Sequence, residues 1–261
     1  MMNSMQMALI RKELRGILKE RGFFVNYLLV PLIFALVFPV GAILLAAFAD
    51  VSEFAEMLSV MMISVPDEGV ELIVVQMLMD SLMPMLFLMI PPLIVTAMAA
   101  SSFTGEKERR TLETLLYSPM SLRQIFSAKV LGALLLGMVV TVISFVVMVV
   151  AVAGLVWVFF GEIFLPGLVW LVVIGLVAPA FSLLAIILQV RISVKARSSE
   201  EAFQRGGILV MIPLMLLLPQ VTGLMVVGTL AFAVFGVVLA VIAWLLMQVA
   251  FRKFTYEELL R

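Results

Sequence analysis

The chain has 261 residues, of which 64% are apolar and 13% charged, and its mean hydropathy is +1.25. That composition lies far outside the globular range and excludes a water-soluble domain of ordinary build. Seventeen Lys and Arg balance seventeen Asp and Glu, and the lack of Cys and His removes disulfides, thiol nucleophiles and the usual transition-metal ligands.

The seventeen bases form four clusters: Arg11, Lys12, Arg15, Lys19 and Arg21; Lys107, Arg109, Arg110, Arg123 and Lys129; Arg191, Lys195, Arg197 and Arg205; and Arg252, Lys253 and Arg261. Three base-free stretches separate them, 22–106, 130–190 and 206–251, each long enough for two spans of about 20 residues. The reading is an all-α membrane protein, one domain over 1–261, with six transmembrane helices in three hairpins. Short loops rich in Lys and Arg stay cytosolic, so both termini and all four clusters are expected in the cytosol, with the chain multi-pass in the cytoplasmic membrane. Nine acids accompany the bases and eight lie opposite, which sets an inner face of +8 against an outer face of −8.

From the N-terminus, Met7, Ile10, Leu14, Ile17 and Leu18 recur at helical spacing with the bases largely on other faces. Residues 4–21 therefore predict an amphipathic helix suited to the inner leaflet surface, with Gly22 at the bend. The N-terminal residues carry charges of both signs and lack the pattern of a secretory signal. The first apolar run, 26–48, contains Pro31 and Pro39. Residues 50–80 form the one sizeable outer segment and hold seven of the eight outer acids; a loop from which bases are excluded by topology explains them better than a cation vestibule. The second run, 82–103, contains Pro91 and Pro92, and the apolar residues of 71–80 predict that its helix begins outside the bilayer.

The segment 105–119 reads as a short helix with a defined stop. Charges crowd its first turns, Leu112, Leu115 and Leu116 form an apolar edge, and Ser118 precedes Pro119. Ser121 and Gln124 then match a capping box that restarts the chain as the third span, 126–153. A rigid cytosolic knob of this kind can seat in the groove of a soluble partner and take force from it. The third span carries the small residues Ala133, Gly137 and Thr141 at intervals of four, a stripe that permits close helix approach. The outer turn 154–167 brings Trp157, Phe159, Phe160 and Phe164, with Trp170, to an aromatic belt. The remaining runs are 167–189 with Pro179, 207–222 with Pro213 and Pro219, and 229–250. Almost no ionisable residue falls inside a span, so the chain lacks the proton relay of many ion-coupled pumps, and its driving force is expected from elsewhere.

The segment Gly105-Glu106-Lys107-Glu108-Arg109-Arg110-Thr111-Leu112-Glu113, followed by Leu115, Leu116, Ser118, Pro119 and Lys129, resembles the cytosolic loop of permeases of the ABC-2 type transporter family. It departs at Arg110, where the family usually carries Gly. Arg11-Lys12-Glu13-Leu14 and the stretch from Ser193 to Ala202 are similar to the family more weakly, the latter to its sodium-exporter-like members.

The resemblance implies a six-span permease of the type V ABC exporter kind, half of a dimer formed with a second copy or a homologous permease. It implies that 105–119 is a coupling helix against a separate ATP-binding subunit. Glu106, Glu108, Arg109, Arg110, Thr111, Leu112, Glu113, Leu115, Leu116 and Pro119 would be its coupling residues. No Gly-x-x-x-x-Gly-Lys-Ser/Thr loop occurs in the sequence, so ATP and Mg are expected on the partner and no cofactor on this chain. The partners expected are that ATPase, the second permease and the lipid bilayer, with no nucleic acid. The alternative is a non-transporting membrane scaffold or assembly module that docks an ATPase. An intramembrane protease is disfavoured, because Thr141 and Ser144 lie deep but have no base beside them. Neither the cargo nor the residues that contact it can be read from the sequence.

Overall fold

A computed structural model describes residues 4–19, 24–48, 70–108, 120–221 and 228–253. Every regular element among these is helical. Helix α1 (Ser4–Lys19) is followed by π-helical turns (Phe24–Leu29) that open into α2 (Val30–Phe48). Then come α3 (Val70–Phe87), α4 (Ile90–Glu108) and α5 (Leu122–Phe160). Helix α6 (Leu168–Val172) passes through a π-helical stretch (Val173–Val177) into α7 (Ala178–Lys195). Helix α8 (Ser199–Gly206), a 3-10 turn (Gly207–Leu209), α9 (Met211–Val221) and α10 (Thr229–Lys253) complete the chain.

Six of the resulting helical stretches are long and apolar enough to cross a membrane: Tyr27–Phe48, Glu71–Gly105, Gln124–Phe160, Leu168–Lys195, Ser199–Leu218 and Thr229–Val249. The six-span reading is therefore met, and we call them the first to sixth spans. The second is the centre of the bundle, since 72% of its apolar window is buried, against 22% for the first and the sixth. It touches the first, third, fourth and fifth spans; the third also packs on the first, and the sixth on the fourth.

Lipid supplies no hydrophobic drive between helices, so close contact must come from shape. The small-residue stripe on the third span provides it. Ala133, Gly137 and Thr141 are buried, and a side chain at Gly137 would run into the Val95 methyl of the second span. Gly236 brings the sixth span against Leu176 and Val177 in the same way. Near the opposite end, Trp170 meets Phe87 at 5.5 Å and Phe145 at 5.3 Å between ring centroids, locking the fourth span to the second and third. Each such aromatic pair contributes about 0.5–1.5 kcal/mol beyond its buried area.

The first span changes from π-helical to α-helical at Val30, and the second, fourth and fifth are interrupted further along, each where the backbone ladder loses a donor or changes type. The second breaks between α3 and α4 at Leu88 and Met89, next to Pro91 and Pro92, whose rings carry no N–H. Thr96 steadies the restart, its hydroxyl donating to the Pro92 carbonyl at 2.6 Å. The fourth passes through its π-helical stretch just before Pro179, and the fifth changes from α8 through a 3-10 turn to α9. Such departures commonly mark bending points.

The structure alters several details of the sequence reading. Residues 154–160 are not an outer turn: α5 continues to Phe160 and stops at Gly161, whose φ of 71° suits glycine and whose N–H bonds the Trp157 carbonyl. Nothing before Gly161 breaks the helix, so its 39 residues run about 58 Å, roughly twice the hydrocarbon core. Trp170 is not a belt residue; it is buried, whereas Trp157 is exposed. In α1 the seated face is Leu9 and Ile10, packed on Ile125 and Ala128 of α5, while Met7 is exposed. Gly22 and residues 50–69 of the expected outer segment lie outside the described residues, and Asp80 sits within the second span, accepting the Gly167 N–H at 3.2 Å.

The Gly137 contact yields a test. Gly137→Val, which must displace the fully buried Val95, is expected to destabilise the protein by about 1–3 kcal/mol. Gly154→Ala, which meets open space, is expected to change stability little. Thermal unfolding of both variants in the same detergent measures the contrast.

Candidate functional site

The sequence places the candidate coupling residues in 106–119. Glu106 and Glu108 fall on the last turn of α4; Arg109, Arg110, Thr111, Leu112, Glu113, Leu115, Leu116 and Pro119 lie outside the described residues. What the structure describes is the platform from which that segment hangs: the end of α4 on one side and the start of α5 on the other.

On the α5 side the expected capping box is present. Ser121 Oγ accepts the Gln124 N–H at 3.3 Å and Gln124 Oε1 accepts the Ser121 N–H at 3.0 Å, so two of the orphan donors of the helix start are matched. Ser127, one turn on, accepts from Gln6 Nε2 of α1 at 3.2 Å. With Leu9 and Ile10 seated on Ile125 and Ala128, α1 braces the first turns of the third span and leaves Arg11, Lys12 and Arg15 exposed.

Lys129 ties the two sides together. It is 2% exposed, its ammonium donates to the Ser102 carbonyl at 2.8 Å and to Ser102 Oγ at 2.9 Å, and it stands 5.2 Å over the Phe103 ring. A buried ammonium is tolerable only with such partners, and its three donors suit a carbonyl and a hydroxyl presented together. The aromatic face adds a cation–π contribution. Phe103 and Phe126 pack beside it at 6.0 Å between centroids. The bond joins two positions within one or two turns of where the chain leaves and re-enters the bundle, so the base of the 105–119 segment is a closed loop.

A third element meets this base. Ala100 of α4 packs with Ala196 and Ala202 around α8, and Thr104 Oγ1 donates to the Ser193 carbonyl at 3.4 Å. Helix α8 is capped at its start by Ser198, whose Oγ accepts the Glu201 N–H at 3.1 Å; Glu201 in turn accepts the Arg197 N–H at 2.7 Å and pairs with Arg205 at 2.6 Å. That pair is partly exposed and contributes little by itself. The weaker motif at 193–202 thus lies directly against the end of α4, a proximity that linear spacing does not reveal.

Among the described residues no group of three or more His, Cys, Asp or Glu is placed to hold a metal. The platform is built of packing, caps and one bound ammonium, and these contacts join α4, α5 and α8 at the base of 105–119. Lys129 belongs to the sequence motif but not to the coupling residues expected from it. The signal that could have found it is a lone base within an apolar helix, paired by topology with the serines just before Gly105.

A family model described as ABC-2 family transporter protein matches residues 7–253 of the chain. No curated protein and no solved structure matches it.

Lys129→Met should lower stability by about 1.5–3 kcal/mol, the range for hydrogen bonds to a charged group, whereas Lys195→Met at the exposed end of α7 should change it by no more than about 0.5 kcal/mol. Chemical denaturation in bicelles followed by tryptophan fluorescence distinguishes the two.

Proposed function

The chain belongs to the ABC-2 family of transporter proteins, and from that premise we propose that it is the permease subunit of an ATP-driven exporter in the cytoplasmic membrane. In this reading both termini and the four basic clusters face the cytosol, and a separate ABC ATP-binding subunit docks on 105–119. Two permeases, identical or homologous, enclose the path. The observation that carries the reading is the joined platform under that segment, with Lys129 bonded to Ser102 and α8 packed on α4.

The sequence holds no phosphate-binding loop, which assigns nucleotide chemistry to the partner. Closure of two ATPases around nucleotide would displace the coupling segments. Because α4 and α5 are tied at their ends, they would move as one piece, and the second span, at the centre of the bundle, would pass the motion to its four neighbours. The interruptions at Leu88 and Met89, at Val173–Val177 and at Gly207–Leu209 are where the spans would bend. On this reading Glu106, Glu108, Arg109, Arg110 and Glu113 set the orientation of the partner by charge, and Leu112, Leu115 and Leu116 seat the helix in its groove. The apolar interior favours amphipathic or hydrophobic cargo.

Two outcomes are expected. An ATPase encoded beside this chain should co-purify with it, and Glu113→Arg should weaken that complex by about tenfold or more, read by quantitative pull-down. In reconstituted vesicles the complex should move a probe from a panel of radiolabelled sodium, a fluorescent amphipathic dye and a labelled phospholipid, and Glu106→Arg or Glu113→Arg should uncouple that flux from ATP hydrolysis. Unaltered binding and flux in Glu113→Arg would sink the coupling assignment. Nucleotide-dependent partner binding with no flux of any probe would instead favour an assembly scaffold.

A further inference from the structure

Gln189, in the fourth span, has no exposed surface. Its Nε2 donates to the Ala202 carbonyl of α8 at 2.7 Å, and its Oε1 fills the place that a side chain on Gly206 would occupy. That oxygen has no hydrogen-bond partner. One turn on, along the same face of α7, Ser193 is buried with its hydroxyl unmatched and its carbonyl accepting from Thr104. The polar atoms gather where α4, α7 and α8 meet, in a wall that is otherwise apolar. A leucine at 189 would fill similar volume without leaving a buried acceptor bare, so packing alone does not explain an amide there.

Helix α8 has eight residues, too few to hold its place by its own propensity. Its position depends on the Ala202 methyl against Ala100 and Ala196, and on the amide of Gln189. Past Gly206 the chain enters the 3-10 turn and resumes as α9, so the amide grips the fifth span at the point where its helix changes type. Helix α8 therefore meets the end of α4 on one side and Gln189 of the fourth span on the other.

We propose that Gln189 is a positioning residue of the fourth span that fixes the start of the fifth, holding α8 against the end of α4 through the Ala202 carbonyl and the notch at Gly206, so that a movement of α4 is carried into the fifth span. The role in transmission rests on the reading of 105–119 as the coupling segment; the tie itself does not.

The chain contains no cysteine, so introduced pairs are the sole labels. In the full-length permease in nanodiscs, spin labels at Leu131→Cys and Gln204→Cys, both on exposed positions, should give one narrow distance. Gln189→Leu should raise the share of a second distance about fivefold or more. Gly206→Ala attacks the same contact from the other side and covers the case in which Gln189→Leu fails to fold. Combining Gln189→Ala with Gly206→Ala restores room without restoring the hydrogen bond, and the second distance should persist. A return to one narrow distance in that double variant, or an unchanged distribution in Gln189→Leu, would overturn the proposal. For transmission, labels at Val150→Cys and Met215→Cys in the complex with the ATPase should shift on adding ATP in the parent protein and not in Gln189→Leu; an equal shift in both would also overturn it. A parent complex without any ATP response would count against the exporter reading, while the nucleotide-free distances would still decide the tie at Gln189.

Discussion

A cation cannot be left bare in hydrocarbon, and the architecture of this chain follows from that one cost. It gathers the bases into four clusters and leaves six helices between them. Among the described residues one base enters the bundle. Lys129 is buried at the start of the third span because Ser102 supplies a carbonyl and a hydroxyl and Phe103 supplies a ring face. It fastens the helix on one side of the 105–119 segment to the helix on the other. The same constraint that orders the topology therefore also joins the two helices that carry the most specific motif of the sequence.

Around that joint the molecule is built unevenly. The second span is packed on several sides and interrupted in its middle; the third is a long continuous rod, braced at its start by α1 and capped at its far end by Gly161. Close approach at Gly137 and the ring cluster of Phe87, Phe145 and Trp170 hold rod and centre together at two depths. A stiff element fastened to a jointed one is a sound arrangement for converting a push at one end into a tilt elsewhere. The fifth span differs again: its first helix, α8, packs on the second and fourth spans, and a 3-10 turn separates it from α9.

Several of these features are legible in the amino-acid sequence. Charge grouping and apolar run length place the spans, because both reflect a bulk property of lipid and need no partner residue to act. The capping box of Ser121 and Gln124 is local, its two bonds closing within four residues, and it forms as its pattern predicts. Burial of the Ala133, Gly137 and Thr141 stripe is likewise visible in the spacing. The differences are tertiary or concern where a helix stops. Helix α5 runs on to Phe160 because residues 155–160 are apolar and hold neither Gly nor Pro, and Trp170 turns inward because Phe87 and Phe145, distant in sequence, offer it faces.

By itself, then, the sequence determined that the chain holds six segments long and apolar enough to cross a membrane, where its bases collect, and which segment carries the family motif, since solvation cost and helix periodicity are written residue by residue. Only the tertiary structure decided that Lys129 closes the base of that segment, that the stretch around Ala202 lies against the end of α4, and that Gln189 reaches across to it. Those are contacts between side chains and backbone atoms that the chain brings together across many intervening residues. Their existence depends on which helix faces which, a choice made by packing shape that no local pattern encodes.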